Sequence, residues 1–336
     1  MPIGATLDAP AARANMAAVG PPIAATGLVK RYGPRVALDG VGFAVEAGEV
    51  VGLLGPNGAG KSTALSILAT LLAADGGTVE VAGHRLPAAA AAARHMLGFV
   101  PQRTAVYPTL TAAENLRFFA RMQGLAGRDT AAAVARALVL VGLEGRAHEP
   151  VARFSGGMSR RLNVACGILH RPRVVLLDEP TVGVDPQSRE RLFEAVLALA
   201  HDGAAVLYST HYMEEAERLC GRVVLLDTGR IAAEGTPAAL IAASGMTPRL
   251  HLRTARPLPA GWLAGVSGTR LLADGGLETT VAVADAAAVP TVLLSAARAG
   301  GEVRDVTLHR PNLADVFFAL TGRALRDDDG PGPAPA

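Results

Sequence analysis

Gly55-Pro56-Asn57-Gly58-Ala59-Gly60-Lys61-Ser62-Thr63 fits the pattern G-x-x-x-x-G-K-[ST], and its flanks decide the fold. Before it, Val50-Val51-Gly52-Leu53-Leu54 is a short apolar run of buried-strand type. After it, Ala64 to Ala69 has helical spacing, so the glycines fall at a strand-to-helix turn. That context is the one the pattern requires for binding phosphate. Glycines let successive backbone N–H groups converge on a polyanion, the helix presents its positive dipole end, and Lys61 adds a full charge. A triphosphate is the expected occupant.

Lys30 and Lys61 are the only lysines in a chain that otherwise uses arginine. A compact ammonium fits between phosphate oxygens where a guanidinium fork is too wide, which is reason enough to keep Lys61.

The length of 336 residues suits one large core and a smaller second domain. A net charge of +2, with no basic stripe or reading motif, excludes nucleic acid as the expected partner. Half the residues are hydrophobic, but many are alanine and the uncharged runs stop short of the ~18 residues that span a bilayer, so no transmembrane span is expected. Met1 to Pro22 lacks the pattern of a signal peptide and reads as a disordered tail, with Met16 an alternative start. Cys166 and Cys220 have no metal-ligand spacing and read as buried thiols of a reducing compartment.

Upstream, Ala25 to Lys30 and Gly40 to Val45 are strand-like around Tyr32-Gly33-Pro34. Tyr32 could lay its ring on adenine. Downstream, Gly76 to Val81 reads as a strand, Pro87 to Arg94 as a helix, and Gly98 to Gln102 as a strand ending in an amide; by itself Gln102 is a surface-loop residue. Residues 109 to 150 read as helical throughout, opened by the capping-box pattern Thr111-Ala112-Ala113-Glu114. Ser155-Gly156-Gly157 then starts a helix running to about His170. Its hydroxyl, free N–H groups and dipole make a second anion site.

Val174 to Leu177 is a buried strand that delivers Asp178 and Glu179 at its C-terminal tip, the ligand-binding edge of a parallel sheet. Asp178 is placed to organise Mg²⁺ and Glu179 to take a proton from an attacking water. A helix over Ser188 to Ala200 and a strand over Ala204 to Tyr208 lead to Ser209-Thr210-His211, which puts a histidine at the same edge.

In this order and spacing the residues resemble the nucleotide-binding subunit of an ABC transporter, over about Ala24 to Ala243. The match rests on Walker A (Gly55 to Ser62), the Q-loop (Gln102), the signature (Ser155-Gly156-Gly157), Walker B (Val174 to Glu179), the D-loop (Val184-Asp185-Pro186) and the switch His211. The signature carries Met158 where many members have Gln. That form, followed by basic residues, is similar to the branch of drug, antibiotic and lipid exporters of daunorubicin-resistance type.

The resemblance implies a P-loop α/β cassette with a mixed central sheet, flanking helices and a helical subdomain at about 103–165. The cassette would span 23–244, a small α+β domain 245–325, and a disordered tail 326–336. ATP and Mg²⁺ are the implied cofactors. Tyr32, residues Gly55 to Thr63, Ser155, Gly156, Gly157 and Asp185 would bind nucleotide; Ser62, Gln102 and Asp178 would serve the metal; Glu179, His211 and Gln102 would be catalytic. The implied partners are a separate transmembrane permease and a second copy packed head to tail, at the cytoplasmic face of the membrane. A soluble ABC-type ATPase of translation or DNA repair is the competing class, though it ordinarily has two cassettes or a long insertion. A small P-loop kinase would leave the signature and His211 unexplained.

Overall fold

A computed structural model describes residues 20–322. The tail expected over 1–22 lies outside the described residues except for its last three, as do Met16 and the tail expected over 326–336.

The described chain packs as two units divided at Pro237/Ala238. In the first, β1 (Ile23–Tyr32) and β2 (Arg35–Val45) form a hairpin that continues through β4 (Gly76–Val81) and β5 (His84–Leu86) in the order β2-β1-β4-β5. A six-stranded sheet carries the rest: β3 (Val50–Leu54), β6 (Leu97–Val100), β7 (Val174–Asp178), β8 (Ala205–Thr210), β9 (Arg222–Asp227) and β10 (Arg230–Gly235). Its order is β10-β9-β3-β8-β7-β6, parallel except for the edge strand β10. Every residue of β3 and β7 is buried, the expected state of central strands covered on both faces. The glycine-rich turn leads from β3 into α1 (Lys61–Leu68), and α2 (Ala90–His95) precedes β6.

Residues 109–150 are not helical throughout. They hold α3 (Ala112–Met122), α4 (Gly127–Leu140) and short 3₁₀ turns at Glu144–Arg146, with another at Val151–Arg153. The break falls at Gly124, whose φ of 82° ends the first helix as the glycine-favouring conformation does. Thr111 caps α3 in a complete capping box with Glu114. With α5 (Gly156–Ile168) these helices bury Leu116, Ala120, Val134, Leu138 and Leu162 in a core of their own.

Two elements had no sequence signal. β10 is at most half buried along one side, and α8 (Pro237–Ala243) is apolar at every position and buries none, so neither gives a polar-apolar period to read. The division between the units falls at the start of α8, seven residues before the boundary expected after residue 244. α6 (Pro186–His201) begins two residues earlier than Ser188, because Asp185 caps it and Pro186 sits at the first helical position, where its missing N–H costs nothing. β8 extends to Thr210 and is followed by α7 (Met213–Leu219).

Beyond α8, the second unit is a four-stranded antiparallel sheet with two further helices. Its strands β11 (Arg249–Thr254), β12 (Thr269–Asp274), β13 (Glu278–Val283) and β14 (Val303–His309) lie in the order β12-β13-β11-β14. β11 alternates exposed and buried along its length, and its inward Leu250 and Leu252 pack with Val281, Val283, Trp262 and Val292 of α9 (Val289–Arg298). Asn312 caps α10 (Leu313–Thr321) in a box with Asp315.

Candidate functional site

Three neighbouring strands end at one edge of the six-stranded sheet. Leu54 of β3 is in register with Thr210 of β8, and Asp178 of β7 with Ser209. Parallel pairing therefore brings the glycine-rich turn, the two carboxylates and His211 together. A cavity of about 320 Å³ opens there, lined by Tyr32, Arg35, Asn57, Lys61, Gln102 and Glu179 among others.

Gly60 precedes α1 with φ 112°, and a Cβ there would stand 2.5 Å from the Ala37 carbonyl oxygen. Only glycine allows both the conformation and the approach. Gly55 and Pro56 lie beneath the cavity, where their carbonyls accept from Lys61 Nζ at 2.7 and 3.2 Å. Ala59 is buried, while Asn57, Gly58, Gly60, Ser62 and Thr63 face the cavity.

Lys61 Nζ is also 3.2 Å from Glu179 Oε1, with both side chains nearly buried. The same carboxylate takes Gln102 Nε2 on its other oxygen at 3.0 Å and lies 3.3 Å from His211 Nδ1. Burial pushes the Glu179 pKa up, but the His211 contact and the Lys61 charge outweigh it and hold it below the ordinary glutamate range. Glu179 has φ 45°, the left-handed region. Such strain in a non-glycine residue persists where the surroundings fix it, and it concentrates at functional sites.

Asp178 behaves oppositely. Burial raises its pKa despite hydrogen bonds from Ser209 and Ser62. Ser62 Oγ donates to Asp178 Oδ1 at 3.2 Å, so two hard oxygens from α1 and β7 converge beside the phosphate loop. That donor chemistry fits Mg²⁺, which takes one or two protein oxygens and completes its shell with phosphate and water. Gln102, expected near the metal, spends its amide on Glu179.

Tyr32 is half exposed at the mouth of the cavity, with Lys30 Nζ 5.9 Å from its ring centroid. Its register partner across the hairpin is Arg35, whose Nη2 donates to the Gly58 carbonyl at 3.4 Å. Arg35 went unread in the sequence. The tight Gly33-Pro34 turn, which folds residue 35 back beside residue 32, is the signal that would have found it.

Ser155, Gly156, Gly157 and Asp185 do not line this cavity; they form a separate cluster. Ser155 caps α5 by accepting from Met158 N–H at 3.2 Å, and the first N–H groups of that helix have no partner within it. Asp185 accepts from Ser188 N–H at 2.9 Å. A Cβ on Gly157 would stand 2.5 Å from Asp185 Oδ2, so the two helix starts touch. Ser155, Gly156 and Asp185 remain exposed. Met158 packs on the helical core, which explains an apolar residue there.

The two sites are joined through the loop after β6. Buried Arg160 of α5 donates to the Gln102 carbonyl, Asn163 Oδ1 accepts from Ala105 N–H at 2.9 Å, and Asn115 of α3 accepts from Tyr107 N–H at 2.8 Å. Both cysteines are buried without a disulfide; burial raises both thiols, Cys220 to about 12.

Comparison with known proteins gives one consistent answer. The profile of the ABC transporter family matches residues 38–182. A linearmycin resistance ATP-binding protein of Bacillus subtilis (strain 168) is 38% identical over 309 residues, 90% of this chain and 99% of its own. A Nod factor export ATP-binding protein I of Burkholderia orbicola (strain AU 1054) is 40% identical over 308 residues, 91% of this chain and 99% of its own. A daunorubicin resistance ATP-binding protein of Streptomyces coeruleorubidus is 39% identical over 303 residues, 89% and 96% respectively. Among solved structures, an ATP-binding subunit of an ABC transporter superposes with TM-score 0.61 at 32% identity, over 66% of this chain and 93% of its own. A dimeric ATP-binding cassette bound to ADP and Pi gives 0.58 at 25% identity, over 64% and 98%.

Proposed function

This chain belongs to the ATP-binding subunits of ABC transporters, ATPases coupled to transport, and we propose that it drives export of a drug, antibiotic or lipid-like molecule through a separate permease. The observation that carries the reading is a phosphate cavity and a helix start with exposed Ser155 and Gly156 that lie apart on one chain. Each is half of a nucleotide site, and a head-to-tail pair of copies joins them. The solved relative described as a dimer with ADP and Pi supports that pairing. Such a pair assigns Ser155, Gly156, Gly157 and Asp185 to the ATP held by the other copy's Lys61, and makes the isolated monomer a poor ATPase.

Within one copy, Tyr32 and Arg35 receive the nucleoside end and the loop amides with Lys61 the phosphates. Ser62 and Asp178 would hold Mg²⁺, whose contribution when bound would be to offset negative charge on the phosphates. Glu179 accepts the proton of the attacking water, and His211 contacts the γ-phosphate. A phosphate seated on Lys61 competes with Glu179 for the ammonium, which frees the carboxylate to act as base. Gln102, bonded to Glu179 and carried by the loop that α3 and α5 grip, links hydrolysis to the helical segment.

On that segment Tyr107, Phe118 and Met122 are exposed, with the Tyr107 and Phe118 rings edge to face at 5.0 Å. A clustered exposed apolar surface of this kind marks a protein contact, and the permease is its occupant in this reading. Among the described residues no helix is long and apolar enough to cross a membrane; in this reading the permease holds the chain at the cytoplasmic face of one. Purification of a tagged chain from detergent-solubilised membranes tests this: the wild type should bring down a multi-span membrane protein and a Tyr107→Ala/Phe118→Ala variant should not. Recovery of ribosomes or DNA in place of a membrane protein would reject the exporter reading.

A further inference from the structure

Glu215 is a carboxylate with no part in the mechanism above, yet it is 2% exposed and the most heavily bonded acid of the first unit's interior. Its Oε2 accepts from Thr181 Oγ1 at 2.8 Å, Tyr208 OH at 2.9 Å and Thr210 Oγ1 at 3.0 Å. Its Oε1 lies 3.4 Å from Arg189 Nε. These partners come from the turn after Walker B, from β8 and from α6. One side chain on α7 thus ties together the three segments that carry Glu179, His211 and Asp185.

The tie to His211 is the closest. Thr210 Oγ1, which donates to Glu215, accepts from Tyr212 N–H at 3.0 Å. The backbone on both sides of His211 is therefore held by a single relay ending on Glu215. A second path runs through rings: the Arg189 guanidinium lies 5.8 Å from the Tyr212 ring centroid, and that ring lies 4.1 Å from the imidazole. Burial and the adjacent Glu215 charge push the Tyr208 phenol well up, so it remains an O–H donor to the carboxylate. Filling this space with an apolar side chain would avoid the cost of desolvating a carboxylate, yet the acid stands where a turn, a strand and a helix share one anchor.

We propose that Glu215 is a positioning residue for ATP hydrolysis: through Thr210 it fixes the aim of His211 at Glu179 and the γ-phosphate. The assignment rests on His211 acting at the γ-phosphate, as argued above.

Glu215→Leu keeps an approximately similar volume but offers the three hydroxyls no acceptor. Thr210→Val keeps shape while cutting only the relay to His211. Turnover and ATP KM of the full-length chain are measured at high protein concentration, with thermal unfolding alongside. Both variants should lower kcat by about 10- to 100-fold, the scale of a misplaced catalytic group, with ATP KM unchanged. Introduced into a His211→Ala chain, neither should slow it further. The proposal is overturned if both variants turn over at the wild-type rate, or if they slow the His211→Ala chain by the same factor as the wild type. A His211→Ala chain with normal turnover would remove His211 from the mechanism and Glu215 with it; a slow His211→Ala chain beside silent Glu215 and Thr210 variants would reject Glu215 alone.

Discussion

Ser209 Oγ donates to Asp178 Oδ1 at 2.7 Å and accepts from the Glu179 N–H at 3.0 Å, so one hydroxyl sets both carboxylates of the site. Ser209 is fully buried. Ser209→Ala should cost about 1–3 kcal/mol in stability, the range for a buried hydrogen bond to a charged group, and should raise the Mg²⁺ concentration needed for half-maximal turnover. Urea unfolding and a Mg²⁺ titration of the ATPase rate check it. An unchanged Mg²⁺ requirement would mean that Asp178 is aimed by its strand alone.

Glu179→Gln should bind ATP as tightly as the wild type yet lose roughly 10²-fold or more in kcat, the usual scale for a general base. Because Lys61 pairs with Glu179, removing that charge also leaves the ammonium to phosphate, and nucleotide affinity should not fall. Equilibrium binding and single-turnover hydrolysis separate the two effects. Normal turnover would take Glu179 out of the mechanism.

Tyr32→Ala should raise the KM for ATP with kcat nearly intact, because in the proposed binding mode the ring stacks on the base, away from the reacting phosphate. Loss of about 1–3 kcal/mol of stacking corresponds to roughly 5- to 150-fold in affinity. Tyr32→Trp should restore binding. If kcat falls instead, the half-exposed tyrosine has a structural role in the β1–β2 hairpin.

Acid stability should depend on the Glu49–Arg222 pair, which meets at 2.8 Å beside Glu234. Burial raises the Glu49 pKa, but the hydrogen bonds and charge of Arg222 and the Glu46 N–H prevail, and the net shift is downward. A folded-state value below the unfolded one gives stability that is complete above about pH 4.3, the ordinary glutamate value, and is lost as pH falls through the lower folded value. Glu49→Gln should flatten that part of the stability curve measured by urea unfolding. An acid limb identical to the wild type would assign the pair no energetic role.

The sequence was legible where chemistry and chain order coincide. The glycines around Lys61, the carboxylates at the tip of an apolar strand and the Ser-Gly-Gly helix start are each local patterns, and each turned up at a strand end or helix cap as read. β10 and α8 were not legible because neither gives a polar-apolar period. Arg35, Ser209 and Glu215 were illegible for another reason: an arginine after a turn, a serine in a strand and a glutamate in an acidic helix start are ordinary residues until their neighbours are known.

What the sequence alone determined is the set of candidate phosphate-binding groups and the order of elements that carries them, because backbone conformation and capping depend on near neighbours in the chain. The tertiary structure decided which of those groups meet. Parallel register sets Asp178 against Ser209, and packing of α7 on β8 turns Glu215 toward Thr210. The same folding leaves Lys61 and Ser155 in separate places, since strand register and burial are set by residues far apart in the chain. In the proposed pairing the phosphate loop is one half of a site whose other half comes from a second copy, because the fold keeps Lys61 and Ser155 apart on one chain.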